Sequence, residues 1–513
     1  MALNTGNRTS NASKNIIVSI INKVTVLLLT FISRKFFIQY IGVEYLGING
    51  LFANILTLLA MADLGVGTAL NVSLYKPIAE NDTKRIAALL GFFKTMYYFI
   101  ALGVTVIGLG LLPFLKYIVN MDRDIPHLYL YYICFVLKNT VSYMYVYKAA
   151  IINADQKNYV VNRIDFLVNI GRTIIQMVDI VFLRSFLVYL LIDIASVLTH
   201  NIIVSYIANK NYAFINEKHL LPSKEKKQIF SDVYSVFLYK VSWSLLNGTD
   251  NILMSIIVGT IYVGMYSNYY TITSNVETFV ALMFTSLTAS VGNLVATSSP
   301  ETRYKTFKSM QLVSFWMCAI ISICLLFLMQ DFIQLWLGAE FLLDNATLIA
   351  IVLNVFFSIC MRPVWTFREG TGMYRQIRYI MFATALLNLI LSIILGKFMG
   401  ISGIIFATVI SKLATYFWYE PNILFKKFFH KKPSKYYGEH LKNALLMILC
   451  GIICFFLTSH FEQVSIFVWI LKACICFLIV NIVYYLRYRK APEFENIRDK
   501  VCFLLKMLKR GEK

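Results

Sequence analysis

The chain has 513 residues, of which 58% are hydrophobic and 15% are charged, and its formal net charge is +21. Soluble domains carry about a quarter charged residues, so this composition excludes an ordinary soluble protein. The excess of Lys and Arg does not indicate nucleic-acid binding, because these residues cluster in alternate loops between apolar segments.

Apolar segments of about 20 residues recur along the chain, and this is the length that crosses a hydrocarbon core of roughly 30 Å. They predict an all-α polytopic membrane protein with about 14 transmembrane helices. The basic residues fall in the even-numbered connections, which predicts that both termini are cytoplasmic. In chain order the predicted spans are 16–38, 46–75, 86–112, 128–150, 161–182, 185–207, 230–257, 262–294, 308–330, 345–366, 379–397, 401–424, 441–459 and 464–486.

An internal repeat is visible at a constant offset of 217 residues. The segment "KVTVLLL" at Lys23 aligns with "KVSWSLL" at Lys240, and Gly42, Tyr45 and Gly47 align with Gly259, Tyr262 and Gly264. The repeat predicts two six-helix bundles in the same orientation, related by a pseudo-twofold axis along the membrane normal, with a substrate site between them. The predicted divisions are an N-terminus at 1–15, bundles at 16–207 and 230–424, a basic linker at 208–229, a basic loop at 425–440, extra helices 13 and 14 at 441–486, and a basic tail at 487–513.

A polar stripe runs along the fifth predicted span, in "DFLVNIGRTIIQMVD". Asp165, Asn169, Arg172, Gln176 and Asp179 follow one another at steps of four, three, four and three, so they share one helical face. Arg172 lies near mid-depth, where an arginine costs at least about 3 kcal/mol. Two interpretations stay open: Arg172 pairs with Asp165 or Asp179 and only joins helices, or the stripe lines a hydrated cavity in which Arg172 binds an anion.

Other spans also carry polar residues. The predicted substrate-binding residues are Lys23, Arg34, Lys138, Asn169, Arg172, Gln176 and Lys240. The candidates for ion coupling are Asp63, Asp165, Asp179, Asp250 and Glu277. Span eleven, the repeat partner of span five, has only Asn388 in its apolar interior, so basic charge is expected mainly in the first half.

Residues 42–86, "GVEYLGINGLFANILTLLAMADLGVGTALNVSLYKPIAENDTKRI", resemble bacterial polysaccharide flippases of the Wzx type, which belong to the multidrug/oligosaccharidyl-lipid/polysaccharide exporter superfamily. Residues 249–272, "TDNILMSIIVGTIYVGMYSNYYTI", look like the matching element of the second half. The resemblance implies a V-shaped, monomeric exporter in the bacterial plasma membrane. Such a protein moves undecaprenyl-pyrophosphate-linked oligosaccharide outward by alternating access, for capsule, exopolysaccharide or cell-wall glycan. It also implies a polysaccharide polymerase and a chain-length regulator as partners. The predicted number of fourteen spans is similar to that of the lipid II flippases.

Three alternatives remain at this point. A lipid II flippase and a multidrug exporter have the same expected fold, although the predicted basic residues disfavour a cavity for organic cations. A membrane glycosyltransferase or polymerase is a more distant alternative, because Asp122 and Asp124 form an Asp-x-Asp pair in a predicted external loop. We predict no enzymatic activity, no cofactor and no metal. The chain contains no Walker-type glycine loop, so the membrane potential, ion antiport or both are the expected driving forces.

Overall fold

The computed structural model describes residues 29–498, except 60–65, 121–124, 156, 218, 224, 228, 230–240, 242–243, 247, 286, 372 and 462. The regular secondary structure in this part of the chain is helical, without strands. The chain divides into two compact units, Met1–Gly264 and Met265–Lys513. The predicted all-helical membrane architecture is therefore confirmed for the residues described.

The described residues of the first unit form two hydrophobic cores. One core surrounds Phe52 and Tyr132, and the other surrounds Leu70 and Phe93. Its helices are α1 (29–40), α2 (Val43–Leu59), α3 (Val66–Ala79), α4 (Thr83–Gly110), α5 (Leu115–Ile118), α6 (Leu128–Tyr143), α7 (Val146–Ala154), α8 (Asn158–Phe182), α9 (Phe186–Asn211) and α10 (Asp250–Ile257). Helix α11 (Thr260–Thr285) begins in the first unit and continues into the second.

The second unit has longer helices, and aromatic rings pack at one end of it, where Phe307 contacts Phe367, Phe425 and Phe429. Its helices are α12 (Thr288–Thr297), α13 (Pro300–Trp336), α14 (Asn345–Cys360), α15 (Arg362–Thr371), α16 (Tyr374–Ala414), α17 (Tyr416–Leu424), α18 (Ser434–Thr458) and α19 (Ile466–Tyr488). Helix α16 is broken at Gly400, whose φ of 62° is in the left-handed region. A turn of π-helix, Phe425–Phe429, follows α17.

Several helical segments are long and apolar enough to cross a bilayer. Among the described residues there are six: Thr83–Ile118, Phe186–Asn211, Pro300–Trp336, Gln376–Phe429, Ser434–Thr458 and Ile466–Tyr488. A seventh results if α14 and α15, which meet at an angle of 42°, form one bent span. The protein is therefore a multi-pass membrane protein, and the count of fourteen spans stays a prediction.

The prediction of uninterrupted spans was wrong in four places of the described chain. The predicted span 128–150 is divided into α6 and α7, the span 345–366 into α14 and α15, the span 262–294 between α11 and α12, and the span 401–424 between α16 and α17. In the second case Pro363 lies in the first turn of α15, where its missing N–H and its ring prevent continuation of the preceding helix.

Three helix starts recur further along the chain at one constant displacement. Val43, Thr83 and Leu128 begin helices, and Thr260, Pro300 and Asn345, each 217 residues further along, also begin helices. Gly42 and Gly259, which precede the first of these pairs, have φ values of 113° and 136°, a conformation that favours glycine. This displacement equals the offset of the sequence repeat.

Candidate functional site

A shared carboxylate lies at the centre of the polar groups of the first unit. Asp193 of α9 binds Arg172 of α8 through Oδ1, with a distance of 3.0 Å to Nη1, and it binds Lys138 of α6 through Oδ2. The Asp193 side chain is 12% exposed, whereas those of Arg172 and Lys138 are 31% and 35% exposed. Two partly accessible cations therefore share one buried anion, which leaves a positive charge and free access on the cationic side.

Arg34 extends this group of charges. Arg34 of α1, Arg172 and Asp193 all lie within electrostatic range of the Tyr189 hydroxyl, which is one helical turn before Asp193 on α9. Gln176 Nε2 donates to the backbone carbonyl of Tyr189 at 3.1 Å, so it joins α8 to α9 beside the charges. We define Arg34, Lys138, Arg172 and Asp193 as the Asp193 cluster. With three cations and one carboxylate, its formal charge is +2.

The orientation of α8 explains why Arg172 is partly accessible. Leu167, Ile174 and Val178 are exposed and, at about 100° per residue, lie roughly opposite the polar stripe on the same helix. This apolar face is the face that suits contact with lipid. The exposed part of Arg172 therefore points away from the lipid-facing side of the helix.

The structure separates the predicted stripe into three environments. Asp165 Oδ1 lies 2.9 Å from His200 Nε2 on α9, and its side chain is 50% exposed. Arg172 pairs with Asp193, so the hypothesis that it pairs with Asp165 or Asp179 is wrong. Gln176 and Asp179 are buried, with 4% and 2% exposed. The stripe is thus accessible only in its first half.

Asp193 and His200 were missed by the sequence analysis. They lie seven residues apart on α9, which places them on one helical face. This spacing of seven residues was the sequence pattern that could have indicated a polar face on α9. It is a weaker pattern than the stripe on α8, because it consists of two residues instead of five.

The second unit contains a polar group that the sequence analysis also missed in part. Glu277 of α11 interacts electrostatically with Lys412 and Arg362 and forms a hydrogen bond with Ser358. Lys412 is 7% exposed, and its Nζ donates to Asn354 Oδ1 at 2.9 Å. Lys412 therefore adds a buried cation to the second unit, and the expectation that basic charge belongs mainly to the first half stays a prediction.

The remaining predicted residues have other positions. Asp250 is the first residue of α10, where a carboxylate interacts favourably with the helix dipole. Asn169 lies on α8 between Asp165 and Arg172 and is partly buried. Five predicted residues lie outside the described residues: Lys23, Asp63, Asp122, Asp124 and Lys240. Within the described part of the chain no group of three His, Cys, Asp or Glu side chains could hold a metal ion.

A scan against models of protein families and a search of curated proteins give no match to this chain. Among solved structures the chain is similar to the lipid II flippase MurJ in an inward closed conformation, with a TM-score of 0.69 and 15% identity over 92% of this chain and 99% of that chain. It is also similar to an inward-facing multidrug resistance MATE family transporter of the MOP superfamily, with a TM-score of 0.59 and 13% identity over 78% of this chain and 96% of that chain.

A third similar structure is a MOP superfamily transporter from Pyrococcus furiosus, described as having a binding pocket of reverse polarity, with a TM-score of 0.53 and 12% identity over 79% of this chain and 93% of that chain. All three of these proteins are named as transporters or flippases. At these identities the likeness establishes the fold. The chain therefore has the helical fold shared by the lipid II flippase and the MATE transporters of the MOP superfamily.

Proposed function

We propose that the protein is a flippase for undecaprenyl-pyrophosphate-linked oligosaccharides, which it moves from the cytoplasmic to the outer leaflet by alternating access. The Asp193 cluster binds the pyrophosphate. The observation that carries this proposal is the excess of cations over carboxylates in the cluster, where Arg172 and Lys138 share one buried carboxylate.

The charge of the cluster suits a pyrophosphate diester. Such a headgroup carries about two negative charges, and phosphate oxygens are bound best by Arg and Lys through charge-assisted hydrogen bonds. Asp193 holds Arg172 and Lys138 together before the ligand arrives, which reduces the cost of bringing two cations close to each other. Arg34 supplies the third positive charge.

Arg172 also has unused hydrogen-bonding capacity. Its Nη1 donates to Asp193, whereas its buried Nε has no hydrogen-bond partner among the residues that the structure describes. A buried donor without an acceptor is costly, about 1–3 kcal/mol. A phosphate oxygen at this position would satisfy the Nε, and so the free protein is prepared for an anionic ligand.

Lipid II is the second candidate substrate. It is also linked through a pyrophosphate, and the likeness to the lipid II flippase covers 92% of this chain, against 78% for the MATE transporter. The charges of the cluster do not distinguish lipid II from the other lipid-linked oligosaccharides, because both have a pyrophosphate. A multidrug exporter of organic cations is less well supported, because the only carboxylate of the cluster is already bound by two cations.

Two sources of energy fit the proposed cycle. Outward movement of about two negative charges is favoured by roughly 4–5 kcal/mol at an inside-negative potential of about 100 mV. The pair of Asp165 and His200 adds a site at which a proton or a cation is exchanged, and Asp179, Asp250, Glu277 and Asp63 remain further candidates. Transport of the lipid-linked oligosaccharide should therefore stop in cells whose membrane potential and ion gradients have been collapsed.

The experiment that tests the proposed function is deletion of the gene followed by analysis of lipid-linked sugars in the two leaflets. Accumulation of a complete oligosaccharide unit on the inner leaflet is expected. Accumulation of a truncated unit would instead indicate a glycosyltransferase. Accumulation of lipid II alone would replace the proposed substrate by the second candidate.

A further inference from the structure

A cavity of about 210 Å³ lies in the second unit between α13, α18 and the end of α19. Its polar lining consists of Lys308, Gln311, Glu439, Lys442, Arg487, Tyr488 and Glu493. An adjoining cavity of about 330 Å³ shares Lys442, Arg487 and Tyr488 and is otherwise lined by leucines. The two cavities therefore form one site with a charged end and an apolar end, and the site is separate from the Asp193 cluster.

The charges at the polar end are unevenly paired. Lys308 Nζ lies 2.7 Å from Glu493 Oε1 and 3.3 Å from Glu439 Oε1, so one lysine engages both carboxylates of the lining. Lys442 and Arg487 form no ion pair with any carboxylate of the described chain, and both are exposed. Two cations on neighbouring helices thus remain available to an anionic ligand.

The apolar end continues from these cations along one helical face. Lys442, Leu445, Leu446 and Leu449 follow at positions i, i+3, i+4 and i+7 of α18, so they form a single stripe about 10 Å long. Leu445 and Leu449 are exposed large apolar side chains. A ligand that matches this stripe has a negative head next to a hydrocarbon chain.

We propose that this site binds an anionic glycerophospholipid, with its phosphate on Lys442 and Arg487 and an acyl chain along the leucine stripe. Further basic residues lie close in sequence, before α18 and after α19, including Lys431, Lys432 and Lys490. Such a concentration of basic residues is typical of the cytoplasmic membrane surface, where the anionic lipids of the inner leaflet are found. The ligand is thus a bilayer lipid, and the inference does not depend on the proposed flippase function.

The test uses the purified full-length protein and native mass spectrometry with palmitoyl-oleoyl phosphatidylglycerol or phosphatidylcholine. We expect preferential binding of phosphatidylglycerol, and we expect K442Q/R487Q to lower its affinity by at least about 10-fold, since the two cations donate charge-assisted hydrogen bonds to the phosphate that neutral side chains do not match. The matched control K435Q/R489Q removes the same charge from exposed residues outside the cavity lining and should keep wild-type affinity.

Four results would overturn the proposal. If K442Q/R487Q bound phosphatidylglycerol with wild-type affinity, the two cations would not be part of the site. If K435Q/R489Q lost as much affinity as K442Q/R487Q, the loss would follow from the lower net charge alone. Displacement of phosphatidylglycerol by equimolar inorganic phosphate would show that the acyl chain does not take part. Undecaprenyl phosphate serves as a competing probe, and displacement of the phospholipid at a lower concentration would assign the site to a prenyl lipid instead.

Discussion

Replacing Arg172 by Gln separates the binding role of this residue from a purely structural role. The substitution removes the guanidinium but leaves Asp193 paired with Lys138, so the buried carboxylate keeps a cationic partner. The Arg172 side chain is 31% exposed. Its ion pair should therefore contribute only about 0.5–1 kcal/mol to the free energy of unfolding, as for other solvent-accessible pairs.

The expected loss in ligand binding is larger than this loss in stability. A hydrogen bond to a charged group contributes about 1.5–3 kcal/mol. Removal of the guanidinium should therefore weaken binding of a pyrophosphate by about 10- to 150-fold. Arg172→Lys keeps one charge but not the planar donor arrangement, and so it should retain part of the affinity.

The assay is binding of undecaprenyl pyrophosphate to purified variants, with thermal unfolding measured on the same samples. Arg163→Gln is the matched control, because Arg163 is an exposed arginine on the same helix and has no contact with Asp193. If Arg172→Gln bound undecaprenyl pyrophosphate as tightly as Arg163→Gln while both variants stayed folded, the proposed pyrophosphate site would be refuted.

Asp193→Asn completes the comparison, because it changes the same ion pair from the other side. Without the carboxylate the two cations repel each other, and two unit charges separated by about 5 Å repel by about 3 kcal/mol at an effective dielectric constant of about 20. This variant should lose more stability than Arg172→Gln but should keep measurable pyrophosphate binding, since the ligand can replace the lost negative charge. Equal losses of binding in the two variants would indicate that the pair only joins α8 to α9.

Three further changes test other parts of the structure. Gly47→Ala should lower the free energy of unfolding by about 1–3 kcal/mol, because a Cβ at this position would lie 2.3 Å from a backbone oxygen of α11, whereas Gly91→Ala meets nothing within 4 Å and should be tolerated. Glu420→Gln should cost about 3 kcal/mol, because it leaves Arg368, 6% exposed, without its buried carboxylate; a thermal shift near zero would contradict this. Burial alone would raise the pKa of Glu493, but the hydrogen bond and the charge of Lys308, together with a backbone hydrogen bond, outweigh burial and hold the pKa below the ordinary 4.5. This ion pair therefore stabilises the fold above that pH and is lost as the pH falls below it. In the wild type the protection factors of residues 492–498 against amide hydrogen exchange should fall as the pH is lowered below 4.5, and Glu493→Gln should show the reduced protection already at neutral pH.

Much of the fold could be predicted because membrane-spanning helices follow simple rules. Length and hydropathy predict apolar helices directly, and α6, α9 and α14 begin within one residue of their predicted starts. Breaks inside spans were harder to predict. Pro363 explains the division of α14 and α15, yet α6 and α7 are divided at Met144 and Tyr145 without a proline or glycine. Local sequence gives no sign of a break that arises from packing.

The candidate site was predicted only in part, for a related reason. Periodicity identified Arg172 because it depends on residues of one helix. The partner of Arg172 lies on another helix, and sequence spacing within α8 cannot show which carboxylate of α9 comes near it. Asp165 and Asp179 were therefore natural but wrong partners. Lys412 was overlooked because a single cation in an apolar span has no periodic pattern around it.

The displacement of 217 residues bears on how the two units differ in function. Positions that the proposed repeat relates to Lys138, Arg172 and Asp193 are Val355, Leu389 and Ile410, all of which are apolar. A purely structural ion pair needed for packing would be expected at equivalent places in both units, since their helices begin at matching positions. Its presence in one unit alone favours a role in ligand binding. The second unit instead has Lys412 two residues beyond the position equivalent to Asp193, paired with Asn354 and close to Glu277. We infer that the anion is bound by the first unit, and that Glu277 and Lys412 serve a different charged group or an ion.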